Sequence, residues 1–208
     1  HIDFRLIGGP PNLALENMLT HTQSLRSLTL ICPAGVPGED IAMAPAPSGL
    51  KQNTTLRELT VEFPYDTTTV SAILTSLRDH PLLRTLCVRG HGMDLTGLET
   101  LLLSNNCKIT ELEIRGFFGG PPITGFTRVW EALKHRPTLT KLQLRLCNLG
   151  RGEARQLGTV LRNTPFLQSL DLTGDDLGNA GLEELAPALY HNTSIEELNL
   201  SSNRLDNM

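Results

Sequence analysis

Arg89, Arg115 and Arg145 recur at intervals of 26 and 30 residues, each directly after the last apolar residue of a short hydrophobic run. A guanidinium is planar, permanently charged and able to grip a carboxylate or phosphoryl group through two parallel hydrogen bonds. Three in one row would form an anion-reading stripe. Their mutual repulsion has two answers at this stage: Glu62, Glu113 and solvent screening within the chain, or anionic groups on a partner. Other chemistry finds little support. No hydrolase elbow, zinc-protease, P-loop, dinucleotide or EF-hand pattern is present, and Asp171 to Asp176 lacks the Gly and Glu spacing of a calcium loop. His21, His135 and His191 fall at equivalent ends of expected helices, where an imidazole favours the helix dipole. Only His91 falls near the arginines, and no Ser/Asp or Cys arrangement is forced around it. The expectation is no catalytic residue, no cofactor and no metal.

The cysteines point the same way. Cys32, Cys87, Cys107 and Cys147 are scattered without C-x-x-C or Cys/His zinc spacing, which reads as free thiols in a reducing, cytoplasmic compartment. Cys87 is a candidate reactive thiol, with only Arg89 and Arg115 placed to lower its pKa. Asn53-Thr54-Thr55 and Asn192-Thr193-Ser194 match the N-glycosylation acceptor, a pattern short enough to recur by chance. The pI near 5.9 gives no reason to expect nucleic acid, and no run of 18 apolar residues offers a membrane span.

What must position these residues is a repeat. Leucine supplies 39 of the 208 residues. Leu25-x-x-Leu28-x-Leu30 returns as Leu56-x-x-Leu59-x-Val61 and Leu83-x-x-Leu86-x-Val88, and then as Ile109-x-x-Leu112-x-Ile114. Leu139-x-x-Leu142-x-Leu144, Leu167-x-x-Leu170-x-Leu172 and Ile195-x-x-Leu198-x-Leu200 follow, and Phe4-x-Leu6 reads as the tail of an earlier copy. The final apolar residues are spaced by 24, 31, 27, 26, 30, 28 and 28. Eleven residues before each stands a leucine: Leu19, Leu50, Leu77, Leu103, Leu133, Leu161 and Leu189. Apolar residues four and seven positions earlier, such as Val129 and Phe126, complete a helical stripe, and Pro81, Pro137 and Pro165 lie just beyond it. Each unit is therefore a strand, a loop, a helix and a return loop, with apolar faces that only neighbouring units can bury.

Leu139-Thr-Lys-Leu142-Gln-Leu144-Arg-Leu-Cys147-Asn-Leu149 resembles the leucine-rich repeat, with Asp175 and Asn203 at the Cys147 position of later copies. The helix and the 28-residue step make the chain similar to the ribonuclease-inhibitor-like subfamily. That resemblance implies an α/β right-handed solenoid, a horseshoe of about seven repeats with a concave parallel sheet and convex helices. It spans residues 1–208 as a single domain, with irregular units over about 1–122 and regular ones over 123–208. It also implies protein binding by the concave face, without enzymatic activity. Two other roles stay open: a GTPase-activating regulator similar to the Ran-activating leucine-rich proteins, and the substrate-recognition part of a larger effector, ubiquitin ligase or immune receptor. His1 carries no signal-peptide pattern and Met208 falls where a helix should begin, so the expectation is a fragment of a longer chain whose targeting signal could be lost.

Departures from the pattern are concentrated early. Gly9, Pro33, Pro64, His91 and Phe117 occupy the Cys147 position, so the side-chain ladder across the loops should be largely missing there. Pro33, Pro37, Pro45 and Pro47 should shorten or break a helix near Ile41–Ala44, and Phe117 to Pro122 form an insertion. Strand alternation sends three columns to the concave surface. They are Asp3, Ser27, Glu58, Thr85, Glu111, Lys141, Ser169 and Glu197; Arg5, Thr29, Thr60, Cys87, Glu113, Gln143, Asp171 and Asn199; and Ile7, Ile31, Glu62, Arg89, Arg115, Arg145, Thr173 and Ser201. The expected partner contacts are Glu62, Arg89, Arg115, Arg145, Glu111, Glu113, Lys141 and Asp171, with Phe118 as an aromatic anchor on the loop rim. The partner is a protein, with an acidic surface as one option. Phe117 and Trp130 are expected in the core.

Overall fold

The computed structural model describes residues 2–5, 13–31, 48–63, 68–120 and 122–206. Strand and helix alternate throughout: β1 (Ile2–Arg5), α1 (Leu13–His21), β2 (Ser27–Ile31), α2 (Ser48–Gln52), β3 (Glu58–Phe63), α3 (Thr68–Ser76), β4 (Thr85–Gly90) and α4 (Thr96–Leu102). Then come β5 (Glu111–Arg115), α5 (Phe126–Lys134), β6 (Lys141–Arg145), α6 (Gly150–Asn163), β7 (Ser169–Asp171), α7 (Gly178–His191) and β8 (Glu197–Asn199). The eight strands form one parallel sheet in chain order. Parallel neighbours require a long crossover, which each helix supplies. Successive helices pack on one another along the same line. Strands about 4.8 Å apart and helices about 10 Å apart cannot stack flat, so the helical side fans out and the sheet becomes the inner wall.

Leucine rows hold the register. Leu28, Leu59, Leu86, Leu112, Leu142, Leu170 and Leu198 are partners across seven strands. All are sealed from water except Leu198, 44% exposed because β8 is the last strand of the sheet. The helices answer with buried stripes at intervals of three and four: Val70, Ile73, Leu74 and Leu77; Phe126, Val129, Trp130 and Leu133; Ala154, Leu157 and Leu161. Trp130 stacks on Phe126 at 5.2 Å between ring centroids.

Three expectations change. β1 pairs Phe4 with Leu30 and Arg5 with Ile31, two residues away from the expected register. An alternating apolar pattern is unchanged by a slip of two, so it could not fix this register. Asp3 is thus the register partner of Thr29. Leu103 is 49% exposed, unlike Leu19, Leu50, Leu77, Leu133 and Leu161. Its unit spans only 26 residues, α4 ends at Leu102, and Leu98, Leu101 and Leu102 fill the core in its place. Phe117 is half-buried rather than core, with its ring 4.9 Å from His91. The broken helix at Ile41–Ala44, the loop residues Gly9, Pro33 and Pro64, Cys32 and Ile7 lie outside the described residues.

Two ladders of side chains tie the loops together. On the strand-to-helix loops, Asn203 Nδ2 donates to the carbonyls of Leu172 (2.6 Å) and Leu200 (2.9 Å), while its Oδ1 accepts from Asp175 N (3.0 Å). Asp175 Oδ1 in turn accepts from Cys147 N at 2.6 Å, and the Cys147 thiol donates to Ile114 O at 3.3 Å. Asp175 is fully buried and its Oδ2 has no partner, whereas the corresponding atom of Asn203 is a donor. Burial pushes the Asp175 carboxyl up to about 8 despite the bond from Cys147, with Asp171 adding repulsion. The second ladder, on the return loops, has no counterpart in the repeat motif. Asn53 Oδ1 accepts from Leu56 N while its Nδ2 reaches back to Leu19 O, both at 2.9 Å. His80 Nδ1 and Asn192 Oδ1 take the same role toward Leu83 N and Ile195 N. Asn53 is thus committed to the interior and closed to glycosylation in the folded chain.

Truncating Leu142 to Ala should cost about 2–5 kcal/mol in urea unfolding, and truncating Leu103 no more than about 0.5 kcal/mol. Between its ordinary value near 3.8 and about 8, the folded state holds a proton on Asp175 that the unfolded chain releases. Stability from this group is therefore full below about pH 4 and falls as the pH rises toward 8. Asp175→Asn should abolish that fall and raise stability at neutral pH by about 2–4 kcal/mol, read by urea titrations across the range.

Candidate protein-binding face

The strand face turned away from the helices carries the expected columns from β2 onward. Glu58, Thr85, Glu111, Lys141, Ser169 and Glu197 stand in one row of register partners, and Thr60, Cys87, Glu113, Gln143, Asp171 and Asn199 in the next. Glu62, Arg89, Arg115 and Arg145 form the third. Pairing ends at Asp171 and Asn199, so Thr173 and Ser201 belong to the following loops.

The arginines are answered unequally. Arg89 lies between two carboxylates, 3.8 Å from Glu62 and 3.5 Å from Glu113. Arg145 donates from Nε (2.8 Å) and Nη2 (2.5 Å) to Oδ2 of Asp171. Burial alone would raise the Asp171 carboxyl, but the Thr173 hydroxyl at 2.6 Å and Arg145 hold it below the ordinary carboxylate range. Arg115, half-buried between these two pairs, has neither an ion pair nor a hydrogen bond among the described side chains, and its buried Nε–H meets no acceptor. Glu111 and Lys141 sit side by side in register without closing a salt bridge. Internal carboxylates therefore answer Arg89 and Arg145, and Arg115 is left over among the described residues.

Cys87 lies within this face but is only 6% exposed. Burial and the Glu113 carboxylate push its thiol up to about 12, outweighing Arg89. It is a protonated packing residue, not a nucleophile. Cys107 and Cys147 are also buried and free.

At the upper end of β5 the chain enters the loop of the insertion. Gly116 N donates to Arg145 O at 2.9 Å, and Thr124 bonds back to the Met93–Leu95 segment, so the loop is pinned at both ends. Glycine is required at 116, where a Cβ would lie 2.1 Å from the Leu146 carbonyl, and at 120 a Cβ would strike the His91 ring as it now lies. Between the pins Phe118 projects, 85% exposed. Beside it runs a groove of about 400 Å³ lined by Phe117, Phe118, Pro122, Ile123, Leu146 and Arg204, among others. Arg204 is paired with Asp176 at 2.8 Å. The alternation of the strands located the inner-wall columns, but the groove arises from loop packing that residue types alone do not signal.

Among the described residues no cluster of three or more His, Cys, Asp or Glu could hold a metal ion, and no helix is long and apolar enough to cross a membrane. Compared with known families, residues 164–186 and 191–207 match the model described as Leucine Rich repeat. No curated protein matches the chain. The matched segments hold β7, the larger part of α7, β8 and the Asp175–Asn203 ladder, and the same strand–loop–helix unit continues back through the sheet.

In a Cys32→Ser, Cys107→Ser background the native chain should take up almost no Ellman's reagent at neutral pH, then two equivalents after unfolding in urea. Rapid labelling of the folded form would contradict the burial of Cys87 and Cys147.

Proposed function

We propose that this stack of leucine-rich repeats is a non-enzymatic scaffold that recognises a protein partner through its inner wall, from Glu62 on β3 to Asp171 on β7. One observation carries the reading. Glu111, Arg115 and Lys141 stand on one sheet face with no ion pair among the described residues, while Glu62, Arg89, Glu113, Arg145 and Asp171 around them are paired with one another. A paired charge on such a face holds its neighbours in place; an unpaired one is available to a partner without breaking anything first. Strands fixed by buried leucines also present these groups already ordered, which lowers the entropic cost of binding. Phe118 extends the surface onto the rim, where exposed aromatics serve as interface anchors.

The 28-residue steps and the 14-residue helices α6 and α7 support membership of the ribonuclease-inhibitor-like subfamily. Buried free thiols at Cys87, Cys107 and Cys147 support a reducing, cytoplasmic setting. The partner surface that fits the leftover guanidinium is locally acidic.

The test is capture of the partner from an extract of the source cells by the immobilised chain. Arg115→Glu and Lys141→Glu should each cut its retention about tenfold or more, since each reverses a charge at the contact. Arg155→Glu, on the exposed side of α6, should leave retention unchanged. Equal retention by all three variants would remove the inner wall from the interface.

A further inference from the structure

The groove beside Phe118 begins where the strand carrying Arg115 ends: Gly116, the next residue, is part of its lining. We propose that Arg115 and this groove form one recognition site for a peptide segment carrying a single carboxylate and, within about three residues, a large apolar side chain. This rests on the reading of the inner wall as a protein-binding face and specifies what that face selects.

The charge requirement follows from the row. Arg115 is the arginine of the row that no carboxylate answers among the described residues, so its own charge repels an approaching cation and draws in an anion. A carboxylate suits the site better than a phosphoryl dianion. Arg89 and Arg145 are already committed to Glu62, Glu113 and Asp171, and those three carboxylates stand close enough to oppose a second negative charge. The apolar requirement follows from the rim. Phe117, Phe118, Pro122, Ile123 and Leu146 give the groove its apolar part beside Asn148, Ser202 and glycine backbone, and Asp176 and Arg204 there neutralise each other. A volume of about 400 Å³ matches the lower end of pockets that accept small ligands, and so fits a side chain rather than a folded domain. The spacing follows from the backbone. Phe118 is the third residue after Arg115, a reach of at most about 10 Å, which an extended peptide covers in three residues.

The test pans a displayed library of random linear peptides against the whole chain and measures the enriched sequences by fluorescence anisotropy. Enriched peptides should carry Asp or Glu within three positions of Phe, Trp or Leu. Arg115→Gln and Phe118→Ala, both with unchanged urea midpoints, should each weaken binding about tenfold. Replacing the peptide carboxylate by its amide should weaken binding to the native chain by a similar factor, yet have little further effect on Arg115→Gln, as coupled partners require. No enrichment, enrichment without an acidic residue, indifference to either variant, or tighter binding of a phosphoserine peptide than of its glutamate counterpart would each overturn the proposal. If peptides fail while Arg115→Glu still abolishes capture of the native partner, the scaffold reading stands and only this site assignment falls.

Discussion

No unit of this chain can bury its own leucines. A strand of five residues and a helix of two to four turns expose an apolar face each, and only the units before and after can cover them. Everything else in the architecture descends from that dependence. It makes the sheet parallel, sets the strand order equal to the chain order, and forces the polar ends of alternate residues onto the uncovered side. The mismatch between strand and helix spacing then bends the uncovered side inward.

The same stacking creates an electrostatic problem that a single strand would not have. Register partners lie about 5 Å apart, so a residue type repeated at one position becomes a line of like charges. The chain resolves most of that line with carboxylates from the neighbouring column or the neighbouring strand: Glu113 for Arg89, Asp171 for Arg145. The leftover group, Arg115, sits between two cations already neutralised, Arg89 by Glu62 and by Glu113 of Arg115's own strand and Arg145 by Asp171. An interface built on such a leftover is selective, because the surrounding carboxylates resist anything more highly charged.

How much of this could be read from residue types differs from element to element. The rows from β2 to β8 were legible because Leu, Val and Ile recur with two coupled periods, one along the strand and one along the helix. β1 was not, since alternation survives a slip of two residues and no helix leucine upstream breaks the tie. Leu103 kept the spacing of its counterparts but lost their burial, because α4 ends one residue before it and Leu98, Leu101 and Leu102 fill the core instead. The candidate stripe Arg89–Arg115–Arg145 was visible as a row; which arginine would remain unpaired was not, since that depends on side-chain reach to Glu62, Glu113 and Asp171. The return-loop ladder went unread for another reason. Asn53, His80 and Asn192 perform one task with different side chains, so no shared letter marks the position.

Contacts between secondary elements run along the line of consecutive units, strand to next strand and helix to next helix. In a body wired this way stability is close to a sum of what each unit contributes and what each joint contributes, so damage at one joint falls mainly on the two units that share it.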